Sequence, residues 1–265
     1  MQACFQNTVV LSLLLLGGCR QGLAQVEGTP FENPKGFAVI ELFTSEGCNS
    51  CPPADSNLAR AVAWAEENEL PLYCLSFHVD YWDYLGWDDP FGSADYSKRQ
   101  RAYAQALGEK GVYTPQMIVN GREGFVGSRG NEIDAAVARA FAVPPGTTVE
   151  VKSVESSNPK SAKFQIQFGD VPEPCVLTVA LVQKRGEQRV TAGENRGRQL
   201  QHVHIVRGLK SQKIAPKTPA SAEFEFVPPA DLSPQDFFAI AFVQLEKSRQ
   251  IIAAADSQRA STAVK

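Results

Sequence analysis

Apolar residues change their rhythm near the middle of the chain. Phe37-Ala38-Val39-Ile40-Glu41-Leu42-Phe43 is a nearly continuous apolar run, as expected of a strand buried on both faces. Pro52 then opens a helix, because proline suits the first helical turn, and Leu58, Val62 and Ala65 recur at helical spacing until the pattern fades near Asn68. A second buried strand is predicted over Leu72–Phe77, a polar helix over about 93–107 and a third strand at Met117-Ile118-Val119. Asn120-Gly121, which favours a tight hairpin, turns that strand into Gly124-Phe125-Val126. Asn131 is placed to cap a helix running to Phe141. The order is β-α-β-α-β-β-α.

Val143-Pro144-Pro145-Gly146 breaks this pattern, and the period beyond it falls to two. Strands are predicted over 148–154, 163–168, 176–183, 201–206, 222–226 and 237–244, with clear alternation in Ala162–Phe168 and Glu223–Phe226. Short strands with turn residues between them predict an all-β, sandwich-like unit. The expected organisation is an α/β domain over 36–143 and a β-sandwich-like domain over 147–260.

The start of the chain reads differently. Thr8 to Gly18 includes Leu11-Ser12-Leu13-Leu14-Leu15-Leu16, the length of a signal-peptide core and too short to span a bilayer. No Lys or Arg precedes it. Two cleavage sites compete: Gly22-Leu23-Ala24, and a lipobox-like Leu16-Gly17-Gly18-Cys19 that would leave a lipid anchor on Cys19. Residues 1–24 are therefore expected to be a signal peptide or lipoprotein leader and 25–35 a polar tether, which places the protein in the periplasm or cell envelope. A net charge of −3 over 265 residues gives no footprint for nucleic acid. With Cys4 and Cys19 in the leader, Cys48, Cys51, Cys74 and Cys175 remain, too few to staple a fold. Cys74 and Cys175 read as buried free thiols, with an interdomain bridge between them as the alternative.

Cys48-Asn49-Ser50-Cys51 lies between the first strand and the first helix, where a CxxC pair is a redox signature. Unpaired N–H groups and the positive end of the helix dipole stabilise a thiolate on Cys48, and Cys51, one turn along, is placed to resolve a mixed disulfide. A structural disulfide or half of a zinc site are the competing readings, though no second ligand pair follows. Thr114-Pro115 stands directly before the third strand, where a cis bond would set backbone beside the dithiol; an ordinary trans proline is the alternative.

The run Ile40–Asp55 closely resembles the hallmark of the secreted bacterial family called domain of unknown function 1223. His78-Val79-Asp80-Tyr81-Trp82-Asp83-Tyr84-Leu85-Gly86-Trp87, Tyr113-Thr114-Pro115-Gln116-Met117 and Gly193-Glu194-Asn195-Arg196-Gly197-Arg198 are similar to it as well. The resemblance implies a thioredoxin-like N-terminal domain fused to a β-rich C-terminal one, and no established substrate.

Further residues join the candidate site. His78 ends the second strand as Cys48 follows the first, and chemistry collects at the carboxyl ends of parallel strands. Its imidazolium would depress the Cys48 pKa, unless the ring merely satisfies loop backbone. Glu46 and Asp55 would assist proton transfer or simply cap and solvate the helix start. Tyr81, Trp82, Tyr84 and Trp87 form either a platform for a protein substrate or packing for a long loop. His202 and His204 would share one face of a strand, read as surface cross-strand packing rather than a metal site. Arg196, Arg198 and Arg207 would bind a carboxylate or dock the domains.

These observations predict an exported thiol–disulfide oxidoreductase with no diffusible cofactor, the Cys48–Cys51 pair being the redox centre. Pro115, supported by Thr114, would meet the substrate backbone. The expected partners are a protein thiol or disulfide and a redox partner that resets the pair. A copper-handling protein using Cys48, Cys51 and His78, and a binding module with a structural disulfide, are the rival classes.

Overall fold

The computed structural model describes residues 34–217 and 221–259. The expected leader, Cys4, Cys19 and all of the tether before Pro34 lie outside the described residues.

Strand β1 (Ala38–Thr44) leads into helix α1 (Pro52–Glu67), β2 (Leu72–Val79), a two-residue β3 (Gly92–Ser93) and α2 (Ala94–Leu107). The hairpin β4 (Gln116–Val119) and β5 (Glu123–Val126) follows, then α3 (Gly130–Phe141). β1 pairs in parallel with β2 and antiparallel with β4. Alternate β1 residues serve two cores: Ala38, Ile40 and Leu42 pack with Leu58, Val62 and Phe141 of α1 and α3, while Val39 and Phe43 pack with Phe77 and Tyr103 on the other face. The one polar residue in that run, Glu41, is fully buried and held by Arg99 of α2 through two hydrogen bonds of 2.5 and 2.8 Å, with the Tyr103 hydroxyl donating at 2.5 Å. The Arg99 guanidinium also lies over the rings of Phe77, Tyr103 and Phe242, so the ion pair is enclosed by aromatic faces.

After residue 146 the chain is all strand: β6 (Val149–Val154), β7 (Ala162–Phe168), the long hairpin β8 (Cys175–Arg189) and β9 (Gln199–Ile214), then β10 (Ser221–Phe226), β11 (Phe237–Leu245) and β12 (Ile251–Asp256). They build two sheets packed face to face, and the larger of the two is not confined to them. β9 joins β2 in parallel at Ser76 and Ile205, so one sheet runs β12-β11-β8-β9-β2-β1-β4-β5 across the expected boundary. The sheet curls until the Ile251 N–H of β12 reaches the Asn120 carbonyl in the β4–β5 turn (2.8 Å). β10, β7 and β6 form a separate three-stranded sheet whose Phe164, Ile166 and Phe224 cover Leu177, Val179 and Leu181 of β8. The cause is legible in β8, where Leu177 to Gln183 are all buried: a strand apolar on both faces needs cover on both. The second face, with Ala180 and Val182, is covered by Phe37, Phe77 and Tyr96 of the first half.

Two local expectations are corrected. α3 begins at Gly130 with Arg129 as its N-cap, so Asn131 lies inside the first turn and does not cap it. β12 was not foreseen, because Ala253-Ala254-Ala255 carries no alternation that marks a strand.

The Glu41–Arg99 pair yields a stability prediction. Arg99→Met should cost about 3–5 kcal/mol by leaving a carboxylate unpaired in the core. Adding Glu41→Leu should recover most of that loss, and urea unfolding of the single and double variants checks both.

Candidate functional site

β1 ends at Thr44, and a tight turn follows in which the Cys48 N–H reaches the Ser45 carbonyl (3.2 Å). Cys51 is the N-cap of α1 and receives no help from a side chain; its carbonyl accepts from the N–H groups of Ala54 (2.8 Å) and Asp55 (3.1 Å). Pro52 and Pro53 occupy the start of the helix, where their missing N–H groups cost nothing. Cys48 and Cys51 form a disulfide with their Cα atoms 5.5 Å apart. Both cysteines are 0% exposed, although Asn49 and Ser50 between them face solvent.

The cover comes from two directions. On one side, a side chain at Gly47 would have its Cβ 3.0 Å from Trp82 Cβ, so only glycine admits the 81–87 loop so closely. On the other lies the tip of the β8–β9 hairpin. Asn195 is fully buried there and donates from Nδ2 to the carbonyls of Glu46 (2.9 Å) and Cys48 (2.8 Å), while Arg198 holds its Oδ1 at 2.7 Å. The Asn49 N–H donates to the Glu194 carboxylate at 3.0 Å, which sets a negative charge where the helix dipole favours one. Gly193 packs against Gly47 in the left-handed region, at φ +72°.

Behind the disulfide sits a cluster of buried acids and imidazoles. Glu46 is fully buried, accepting from Trp87 Nε1 (2.9 Å) and lying 3.1 Å from His202 Nε2. His202 Nδ1 is 3.9 Å from Asp55 Oδ1. The His202 ring meets His78 edge to face at 4.6 Å, and both rings pack against Phe91. His78 Nδ1 pairs with Asp89 at 2.7 Å, and Asp89 also accepts from the backbone N–H of Glu46 and Phe91. His78 Nε2 and His202 Nδ1 have no hydrogen-bond partner among the described residues.

The environment separates the protonation states. Burial raises the Asp55 pKa and outweighs the opposing pull of His202 and His78, so this carboxyl holds its proton more firmly than usual. Burial alone would lower the His78 pKa, but the neighbouring Asp89 carboxylate reverses that and raises it. Burial works in the opposite sense on Asp89, and His78 again prevails, lowering its pKa. Each partner thus favours the charged form of the other.

Glu46, Cys48, Cys51, Asp55, His78 and Trp87 therefore lie in one assembly. Thr114-Pro115 is cis; Pro115 is buried and the Thr114 hydroxyl accepts from Trp82 Nε1 at 2.8 Å. Tyr81 instead bonds Gln100 (3.1 Å), and Tyr84 stacks on Trp82 while 78% exposed. His202 is corrected from surface packing to a buried member of the site, and His204 lies apart, donating from Nδ1 to the Cys74 carbonyl (3.2 Å), its pKa lowered by burial to about 4. Cys74 and Cys175 are free and buried, burial pushing the Cys74 thiol up to about 12. Arg196 is exposed, and Arg207 reaches Gln183 Oε1 (2.5 Å) and the Phe91 ring. Asp89 escaped the sequence reading, and Glu194 and Asn195 entered it only as part of a family-like run with no role assigned. Among the described residues, no three His, Cys, Asp or Glu side chains are grouped to hold a metal ion, and no helix is long and apolar enough to cross a membrane.

These features define a mixed α/β protein with a large sheet, in which a CxxC disulfide opens a helix beneath a β-hairpin. The chain belongs to the family described as protein of unknown function (DUF1223), whose model matches residues 39–244. A protein of Agrobacterium tumefaciens solved by the Northeast Structural Genomics Consortium is 27% identical, with TM-score 0.63, covering 87% of this chain and 98% of that one. HBP35 of Porphyromonas gingivalis shares the fold at 19% identity and TM-score 0.57, covering 87% of this chain and 78% of that one. A comparison with the curated proteins finds no match.

The His78–Asp89 pair makes stability depend on pH. The raised His78 contributes stability that is complete below its ordinary value of 6.5 and lost as pH rises through its folded value. The lowered Asp89 contributes above its ordinary 3.8 and loses it as pH falls through its folded value. The pair's own contribution should therefore be greatest between those two values and weaken above 6.5. Asp89→Asn should cost about 3–5 kcal/mol at the optimum and flatten the decline on the alkaline side, as read by urea unfolding across that range.

Proposed function

We propose that the protein is an exported thiol–disulfide oxidoreductase, built on a thioredoxin-like first half, that exchanges its Cys48–Cys51 bond with protein thiols. The observation that carries this reading is the position of the pair, which closes over the N-terminus of the sixteen-residue helix α1. There the helix dipole and the free N–H groups favour Cys48 as thiolate, the form that attacks and leaves in exchange. The reaction needs protons as well as electrons, and buried acids and imidazoles lie behind the pair.

Burial of both sulfurs makes access the controlling step. The hairpin tip at 190–198 would lift to admit a partner, breaking the Asn195 bonds to Glu46 and Cys48 and the Asn49–Glu194 bond. The exposed Tyr84 and its neighbour Trp82 would then border the opened site as contacts for a protein substrate. The same burial favours a second reading, in which the disulfide only braces the fold.

Two measurements separate the readings. Redox titration in glutathione buffer should place the pair between about −270 and −120 mV, the span of known exchange catalysts; a value below about −300 mV would mark a structural bond. Asn195→Ala removes two hydrogen bonds worth roughly 0.5–1.5 kcal/mol each, so reduction by dithiothreitol should accelerate by roughly 5- to 150-fold. An unchanged rate would rule out the hairpin tip as the gate.

A further inference from the structure

We propose that Asp55 donates the proton that Cys51 takes up when the disulfide opens, and that His202, from the far half of the chain, is the positioning residue that sets how firmly Asp55 holds it. This deepens the oxidoreductase reading and rests on it.

The geometry begins on α1. Asp55 lies one turn after Cys51, its N–H bonded to the Cys51 carbonyl at 3.1 Å. Residues four apart on a helix have Cβ atoms about 5–6 Å from each other, so the two side chains are neighbours on one face. Cys51 is wholly buried and Asp55 nine-tenths buried. The 81–87 loop and the hairpin tip cover the pair, and a thiolate formed on Cys51 takes its proton from the nearest acid on its own face of the helix. Asp55 is the acid on the same helix face.

His202 is fixed for its part between two carboxyl groups, at 3.1 Å from Glu46 and 3.9 Å from Asp55. The groups that face Asp55 are His202 of β9, His78 of β2, Thr44 of β1 and Asp89 of the 80–91 loop, with Glu46 just behind His202. A brace needs none of this. Burying several ionisable groups is costly, and two of the ring nitrogens remain without partners. Burial holds the proton on Asp55, while the charge on His202 pulls the other way.

The step balances. A thiolate of a partner dithiol attacks Cys48 Sγ, the new S–S bond forms as the Cys48–Cys51 bond breaks, and the electron pair leaves on Cys51. Asp55 passes its proton to Cys51 and becomes a carboxylate facing His202. The partner's second thiol loses its proton and attacks the partner sulfur of the mixed disulfide, releasing Cys48 as a thiolate. The partner departs as a disulfide, oxidised by two electrons, and the proton from its second thiol restores Asp55.

The test is the rate of reduction of the full chain by dithiothreitol, expressed per mole of reductant thiolate, at concentrations where the rate is linear. Wild type should be flat at low pH and then fall tenfold per pH unit once Asp55 ionises. Asp55→Asn should abolish that limb and leave a slow, flat profile. His202→Gln should keep the limb but move it upward by about one pH unit, because a positive neighbour no longer favours the carboxylate. If that variant does not fold, Glu46→Gln, which frees the same ring, should also displace the limb. A flat wild-type profile overturns the proton-donor role without any variant, and an unmoved limb overturns the role of His202. A potential in the structural range would remove the catalytic reading while leaving the limb measurable, so the two failures are distinguishable.

Discussion

A carboxylate withdrawn completely from water must find its partners inside the protein, and Glu46 finds them in both halves of the chain. Its oxygens meet Trp87 and His202, its N–H meets Asp89, and its carbonyl meets Asn195. Three of those groups make a second contact of their own: Asp89 with His78, His202 with the face of His78 and with Asp55, and Asn195 with Cys48. Removing any one of them exposes the others to the penalty of unpaired burial. The arrangement of the β8–β9 hairpin over the cysteine loop follows from this requirement as much as from apolar packing.

The apolar pattern made most of the elements legible because it carried their periods. β1, α1, β2 and the β4–β5 hairpin stand near where their residues predict, since Phe37–Phe43, the Leu58–Ala65 spacing and Asn120-Gly121 are local signals. The parallel seam between β2 and β9 was not legible, because Ser76 and Ile205 are far apart in sequence and pair at a single position. Nothing local distinguishes a strand that closes its own sandwich from one that extends a neighbour's sheet. The apolar run of β8 did carry a signal, since burial on both faces called for cover on both.

The site was half legible for the same reason. Cys48, Cys51, Glu46 and Asp55 fall in one short stretch, and His78 could be placed by the rule for strand ends. Asp89 lies in a loop whose course the sequence does not reveal, and His202 sits on a strand where two histidines two residues apart looked like a surface pattern. The left-handed backbone at His204, φ +50°, locally interrupts the regular strand geometry on which that reading relied. Asn195 lay in a stretch noted for its family likeness, but a carboxamide that bridges two backbone carbonyls leaves no mark in a sequence.

The distance along the chain between Asn195 and the loop it covers has a consequence for biogenesis. Asn195 follows Glu46 by 149 residues. A ribosome adding about 5–20 residues per second therefore takes roughly 7–30 s to supply the cover after the cysteine loop has been made. In that interval the nascent chain carries its two thiols uncovered. The order of synthesis thus gives the cysteine pair a period of exposure that the finished molecule withholds.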